Sequence, residues 1–190
     1  MGPRCDGPRG MIGPMIGPIL IRLPRPCLVV LLGAAGAGKS TFASRHFAPA
    51  AILSSDAFRE RIAGDPRDQG ATRPAFAALH LALARRLGSG LTTVVDATSA
   101  TVPARRALIG RARTAGVPAV AIVLDLPDDI VLARNASRGR YAVPVTAVRA
   151  QLREVARTRV PGQLEGEGFA AVIRLTDPAS IEAALVVCNR

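Results

Sequence analysis

Eight consecutive residues, Gly33-Ala34-Ala35-Gly36-Ala37-Gly38-Lys39-Ser40, complete a G-x-x-x-x-G-K-[ST] pattern. Glycines at this spacing let the backbone bend so that successive N–H groups point inward at phosphate oxygens. The helix that opens at the loop adds its positive dipole end. In such a cradle Lys39 bridges the β- and γ-phosphates, Ser40 ligates Mg²⁺, and Thr41 continues the site along the first helical turn. Lys39 is also the sole lysine, the other 24 basic residues all being arginine. A guanidinium is too broad to replace a compact ammonium tucked into a phosphate loop, and that accounts for the one lysine. The chemistry expected is the binding of ATP, or another nucleoside triphosphate, with Mg²⁺.

A second cluster follows in Ser54-Ser55-Asp56, with Arg59 three residues on. A carboxylate facing Lys39 across a phosphate channel can take the proton of an attacking hydroxyl. Arg59 lies about one helical turn away and can hold an anionic group on the acceptor. The plainer reading makes Asp56 a helix cap and Arg59 a solvated charge. Arg134 and Arg138 stand four apart on one helix face with Ile130, placed to stabilise charge on a moving phosphoryl group, or simply to be a solvated basic face. Asp96 ends the apolar run VVD and is a candidate to hold Mg²⁺ through water. Asp125 ends AIVLD and matches a Walker-B carboxylate on pattern alone. Arg149, Arg153 and Arg157 repeat at four, as a backbone track for nucleic acid or, more plainly, a solvated helix side.

The elements that must position these residues alternate between strand and helix. Strands are expected at Cys27–Leu32, Ala51–Leu53, Leu91–Val95, Ala119–Leu124 and Ala171–Leu175. Helices are expected at Lys39–Phe47, Pro74–Leu87, Val102–Ala115 with Thr101 as N-cap, Asp128–Ser137, Val145–Val155 and Ser180–Val187. Phe76, Leu79, Leu83 and Leu87 form one apolar stripe, and Val145, Val148, Leu152 and Val155 another. Near-continuous apolar strands alternating with helices imply an α/β fold, a P-loop kinase-like parallel sheet covered on both faces. Ligands then sit at the carboxyl ends of the strands.

Length and composition agree with one such domain at 27–190, within which the segment 128–158, bearing Arg134 and Arg138 on one helix face, is expected as a lid. Hydrophobic residues make up 49% of the 190, whereas aromatics are only 3%, which speaks against a base-stacking platform. The formal net charge of +11 attracts polyanions. Residues 1–26 contain the tandem MIGPMIGP, broken by Gly and Pro, and read as a poorly ordered extension. Arg4 and Arg9 before an apolar stretch faintly suggest a signal peptide, but no small-residue cleavage site follows clearly. No run reaches the ~18 apolar residues of a membrane span. Cys5, Cys27 and Cys188 lack metal-ligand spacing and read as reduced thiols of a cytoplasmic protein.

Four stretches together carry a resemblance: GAAGAGKSTFASRHF, ILSSDAFRE, TVVDATSATVPARR and the paired arginines of LARNASRGR. They resemble the kinase module of bacterial polynucleotide kinase-phosphatase. That module belongs to the P-loop polynucleotide 5′-kinase group of the AAA-type ATP-binding family. The resemblance runs from about Cys27 to the C-terminal helix. It implies ATP-dependent phosphorylation of a 5′-hydroxyl on RNA or DNA, as in nucleic acid repair. It further implies Lys39 and Ser40 on phosphate and Mg²⁺, Asp56 as general base, Arg59 on the acceptor, and Arg134 with Arg138 on the donor phosphates. Asp68-Gln69 also match in pattern. Ser99 departs, standing where the family's motif has Asn. Full-length members carry a phosphatase and a ligase-like module after the kinase. Two other functions compete: a small-molecule or antibiotic kinase on the same scaffold, and a nucleotide-binding ATPase that acts through conformational change.

Overall fold

The computed structural model describes residues 18–65, 70 and 72–188. Asp68-Gln69 and most of the expected N-terminal extension lie outside the described residues.

Five parallel strands make the central sheet: β2 (Leu28–Leu32), β3 (Ile52–Ser54), β4 (Thr93–Asp96), β5 (Ala119–Leu124) and β6 (Ala171–Leu175), in the order β3-β4-β2-β5-β6. β2 is central because LVVLL has no polar residue to give to either face, and all five of its residues are buried. Alternate residues of the strands feed two cores. Val29, Leu31, Val120 and Ile122 pack on one face with Phe42 of α1 (Lys39–His46) and Val131 of α5 (Asp128–Ala136). Leu28, Val30, Leu32, Ala121 and Val123 pack on the other. There they meet Leu79, Leu83 and Leu87 of α3 (Thr72–Gly88) and Leu108 and Ile109 of α4 (Val102–Thr114). α6 (Val145–Arg157) contributes to both, Val148 and Leu152 to the first and Val155 to the second.

The C-terminus differs from expectation. The helix placed at Ser180–Val187 is two elements, α8 (Pro178–Glu182) and a strand, β7 (Ala184–Cys188). Asp177 starts the helix with a capping box to Ser180. The following Leu-Val-Val, with two β-branched valines, finds a partner in β1 (Ile19–Leu23), with which it pairs in parallel. Residues 19–23, assigned by sequence to the extension, are therefore part of the fold, and Ile21 and Leu23 reach the first core. Pro14 and Pro18 nearby hid that short alternating run among Gly and Pro. Val145 also departs from its expected stripe, being 52% exposed at the first turn of α6. Cys27 is buried just before β2, and burial pushes its thiol up to about 11, which keeps it protonated. Among the described residues no helix is long and apolar enough to cross a membrane.

A buried carboxylate with two partly exposed arginines, and one fully buried ion pair, fix the loops at the carboxyl ends of the strands. Asp125 accepts two hydrogen bonds from Arg159, at 3.0 and 2.9 Å, and one from Arg174 at 2.8 Å. Arg174 continues to the Thr158 carbonyl at 2.6 Å, so Asp125 ties the end of α6 to β5 and β6. The carboxylate that matches a Walker-B pattern thus has two arginine partners. Arg105 of α4 is the second case. It is 1% exposed and meets Glu167 of α7 (Gln163–Glu167) through two bonds of 2.6 Å. Its Nη1 also donates to the carbonyls of Ser99 and Ala100, holding the segment that follows Asp96.

Removing one partner of a buried pair strands the other charge, so Glu167→Ala is expected to cost about 3–5 kcal/mol in urea unfolding. The double variant Arg105→Met, Glu167→Leu should lose less than the sum of the single changes. Additive losses would show that the pair is not coupled.

Candidate active site

The phosphate loop leaves the central strand and closes onto α5. Gly36 (φ +94°) and Gly38 (φ +97°) hold left-handed conformations that favour glycine. A Cβ on Gly36 would also fall 2.5 Å from the Val131 carbonyl, so the loop and α5 approach too closely for any side chain. Lys39, at the first position of α1, is buried. Its Nζ donates to the carbonyls of Gly33 at 2.9 Å and Ala34 at 3.1 Å. Burial pushes its ammonium down from 10.5 to about 8; Arg138 pushes the same way, while Asp96 and Asp56 oppose. Residues from four separate segments therefore converge on one cation. Ser40 and Thr41 are exposed beside it.

Sheet register explains where the carboxylates fall. Asp96 pairs with Leu31 on one side and Ser54 on the other, at the carboxyl end of β4 and next to the loop. It is buried. Ser54 caps α2 (Ser55–Ala63) by accepting from the Ala57 N–H at 3.5 Å. The cap is therefore Ser54 and not Asp56, which stands in the first turn with its side chain 66% exposed. Arg59 Nη1 lies 2.9 Å from the Asp56 carboxylate, so the two expected acceptor-side residues are in direct contact. The sequence reading had no helix here beyond a possible cap. Among the described residues no cluster of three or more His, Cys, Asp or Glu is placed to hold a metal ion.

One cleft borders the phosphate loop, and a second is joined to it through Gln151. One of about 330 Å³ is bordered by Gly36, Gly38, Arg45, Arg134, Arg138 and Glu182. It brings the two expected lid arginines onto the loop together with Arg45, which carried no sequence signal. The other, about 600 Å³, lies among α3, α4, α6 and the segment after β4. Phe76, Ser99, Gln151, Arg153 and Arg157 line it. Phe76 thus faces this cleft from the edge of its stripe, whereas Ala75 takes the fully buried position. Arg153 and Arg157 are exposed at the rim of the cleft, with Arg157 paired to Glu154. Asp56 and Arg59 line neither cleft. Ser99 has φ +42°, a conformation that Asn and Gly adopt more readily. That gives a backbone reason for Asn in the related motif.

Two further residues were not legible in the sequence. Asn135 is buried on α5, where Nδ2 donates to the Val143 carbonyl at 2.8 Å and Oδ1 accepts from the Val143 N–H at 3.0 Å. This two-bond clasp closes the Arg138–Tyr141 loop. Gln151 accepts from the Ala35 N–H at 2.8 Å, joining α6 to the phosphate loop across 116 residues.

Residues 28–161 match the model of the AAA_33 family, an AAA domain. No curated protein sequence matches. Among solved structures, a Chloroflexus aurantiacus protein described as a kinase aligns with TM-score 0.59 at 19% identity, covering 80% of this chain and 88% of that one. A chain of the Pnkp1/Rnl/Hen1 RNA repair complex aligns with TM-score 0.58 at 22% identity, over 71% of this chain and 45% of that one. A gluconokinase from Sinorhizobium meliloti aligns with TM-score 0.51 at 19% identity, over 84% and 90%. At these identities the likeness is one of fold, a P-loop kinase-like parallel sheet.

The lowered Lys39 value carries a pH dependence with a definite sign. Below about 8 the ammonium is present in the free protein and ATP binding needs no proton. Above that value binding must first protonate Lys39, so affinity falls about tenfold per pH unit. Calorimetric titration at pH 7 and pH 9 should show weaker binding and proton uptake at the higher pH. Equal affinity with no proton uptake would contradict the assignment.

Proposed function

The chain belongs to this AAA-domain family, and on that premise we propose that it is an ATP-dependent phosphotransferase that moves the γ-phosphate onto the 5′-hydroxyl of an RNA or DNA end. The observation that carries the reading is the convergence on Lys39. A buried ammonium in a phosphate loop has Asp96, Arg138 and Asp56 within electrostatic reach. Asp56, which contacts Arg59, is close enough to act electrostatically on Lys39, and simple nucleotide binding gives such a pair no task.

In the proposed reaction the triphosphate lies along the loop from Gly33 to Ser40, where the Ala35 and Ala37 N–H groups are already engaged by Gln151 and the Ala34 carbonyl. Lys39 holds the β- and γ-phosphates. Asp56 accepts the proton of the acceptor hydroxyl as its oxygen bonds to the γ-phosphorus. The bond from that phosphorus to the β–γ bridging oxygen breaks, and ADP leaves with the electron pair. Arg134 and Arg138 border the donor cleft and stabilise the charge that develops. Arg59 orients Asp56 and the anionic acceptor. The Ser40 hydroxyl and the Asp96 carboxylate supply hard oxygens of the kind Mg²⁺ prefers. Two protein ligands suit an ion that keeps waters and phosphate oxygens. When bound, Mg²⁺ would offset phosphate charge.

Support for a nucleic-acid acceptor comes from the +11 charge and from Arg153 and Arg157 at the rim of the second cleft. The fold likeness to a chain of an RNA repair complex points the same way. The volume of that cleft, about 600 Å³, favours a second reading, a small-molecule kinase. The gluconokinase likeness fits that reading.

With labelled ATP, Mg²⁺ and a 5′-OH oligonucleotide, label is expected on the oligonucleotide. It should fall about 10²-fold or more in Asp56→Ala and in Lys39→Ala. A wild-type protein that leaves oligonucleotides unlabelled but phosphorylates a polyol or sugar acid supports the small-molecule reading. ATP turnover unchanged in Asp56→Ala, with no acceptor labelled, would sink phosphotransfer through Asp56.

A further inference from the structure

Gln151 occupies a place that neither the phosphate loop motif nor the acceptor pair explains. It sits on α6, between Val148 and Leu152 in one core and Val155 in the other, so its backbone is fixed to the body of the domain. Its Oε1 accepts from the Ala35 N–H at 2.8 Å, in the middle of the phosphate loop. The same side chain lines the 600 Å³ cleft, facing Phe76 and the Thr98–Thr101 segment. That segment runs on directly from Asp96 and is held by the Arg105–Glu167 pair. One carboxamide thus spans the wall between the loop that holds the donor and the cleft on its other side.

The chemistry of a carboxamide makes this place informative. The oxygen is engaged by Ala35, which fixes the plane of the group and aims its NH₂ away from that bond. The two N–H donors of the group are left to serve a partner in the cleft that the same side chain lines. A hydroxyl entering the cleft offers a lone pair to such a donor while its own proton remains free for a base. A donor held this way sets the direction of the attacking lone pair without taking part in proton transfer.

Resting on the reading of the chain as a phosphotransferase, we propose that Gln151 is a positioning residue. Its oxygen locks it to Ala35 of the phosphate loop, and its amide N–H groups orient the attacking hydroxyl, whether of the acceptor or of water, toward the γ-phosphate. Gln151 acts on whatever oxygen attacks, so its effect extends to slow ATP hydrolysis when no acceptor is added. Loss of the donor lowers turnover and leaves the donor site largely as it was.

The test compares wild type with Gln151→Ala and Gln151→Glu. Three quantities are read: label transfer to a 5′-OH oligonucleotide, ATP hydrolysis without oligonucleotide, and the Kd for ATP. In Gln151→Ala, transfer and hydrolysis are each expected to fall about tenfold, with the Kd changed less than about threefold. Gln151→Glu keeps an oxygen for Ala35 but has no donor, so it should melt as wild type does and still lose turnover. Turnover in Gln151→Ala equal to wild type overturns the proposal. So does a rise in Kd that accounts for the whole loss, because Gln151 would then only brace the loop. The nucleic-acid reading fails separately, on a wild-type protein that hydrolyses ATP and labels no oligonucleotide; the Gln151 effect on hydrolysis still decides the proposal in that case. A wild-type protein with neither activity overturns both.

Discussion

A buried ammonium sets the terms for the rest of this structure. Lys39 is removed from water, and its hydrogen bonds go to the carbonyls of Gly33 and Ala34. Uncharged carbonyls replace only part of the hydration that a cation loses, which is why burial lowers its protonation so far. The surroundings answer that cost with carboxylates in range, Asp96 above all, and with a cradle of N–H groups built for a polyanion. A triphosphate completes the electrostatics that the fold leaves open. The ends of β2, β3 and β4 bring Lys39, Asp56 and Asp96 into one electrostatic neighbourhood, and the end of α5 adds Arg138.

Delivery depends on the parallel sheet. Register alone puts Asp96 between Leu31 and Ser54, and Ser54 in turn caps the helix that carries Asp56 and Arg59. The sheet ends are then secured by charge. Arg105 with Glu167 fixes the segment after β4, and Asp125 with Arg159 and Arg174 fixes the end of α6. α5 touches the loop so closely at Gly36 that the arginines following Val131 inherit their position from backbone contact. Asn135 closes the short loop beyond them. The donor cleft therefore rests on α5, and the second cleft on α6 and the loop after β4.

Much of this was legible in the sequence, for definite reasons. A loop motif that needs glycine at fixed places, after an apolar strand, specifies its own geometry. β5 carries an uninterrupted apolar run and β6 one broken only by Arg174, and the bounds of both agree with the sequence reading residue for residue. Lys39 opens a helix and Asp56 follows a strand end, positions that periodicity reveals. What stayed hidden depends on tertiary partners. β1 and β7 exist only because they pair with each other, and neither short run announces that. Asp125 matched a catalytic pattern, yet two distant arginines claim it. Gln151 meets a residue 116 positions away, and no local pattern encodes such a contact.

Because Lys39 is the chain's single lysine, its side-chain nitrogen can be watched alone. Incorporating ¹⁵N-lysine and following the Nζ resonance against pH measures the central feature directly. The expected midpoint is about 8 in the free protein and moves upward when a nonhydrolysable ATP analogue is added. A midpoint near 10.5, unmoved by nucleotide, would mean a solvated lysine and would contradict the account.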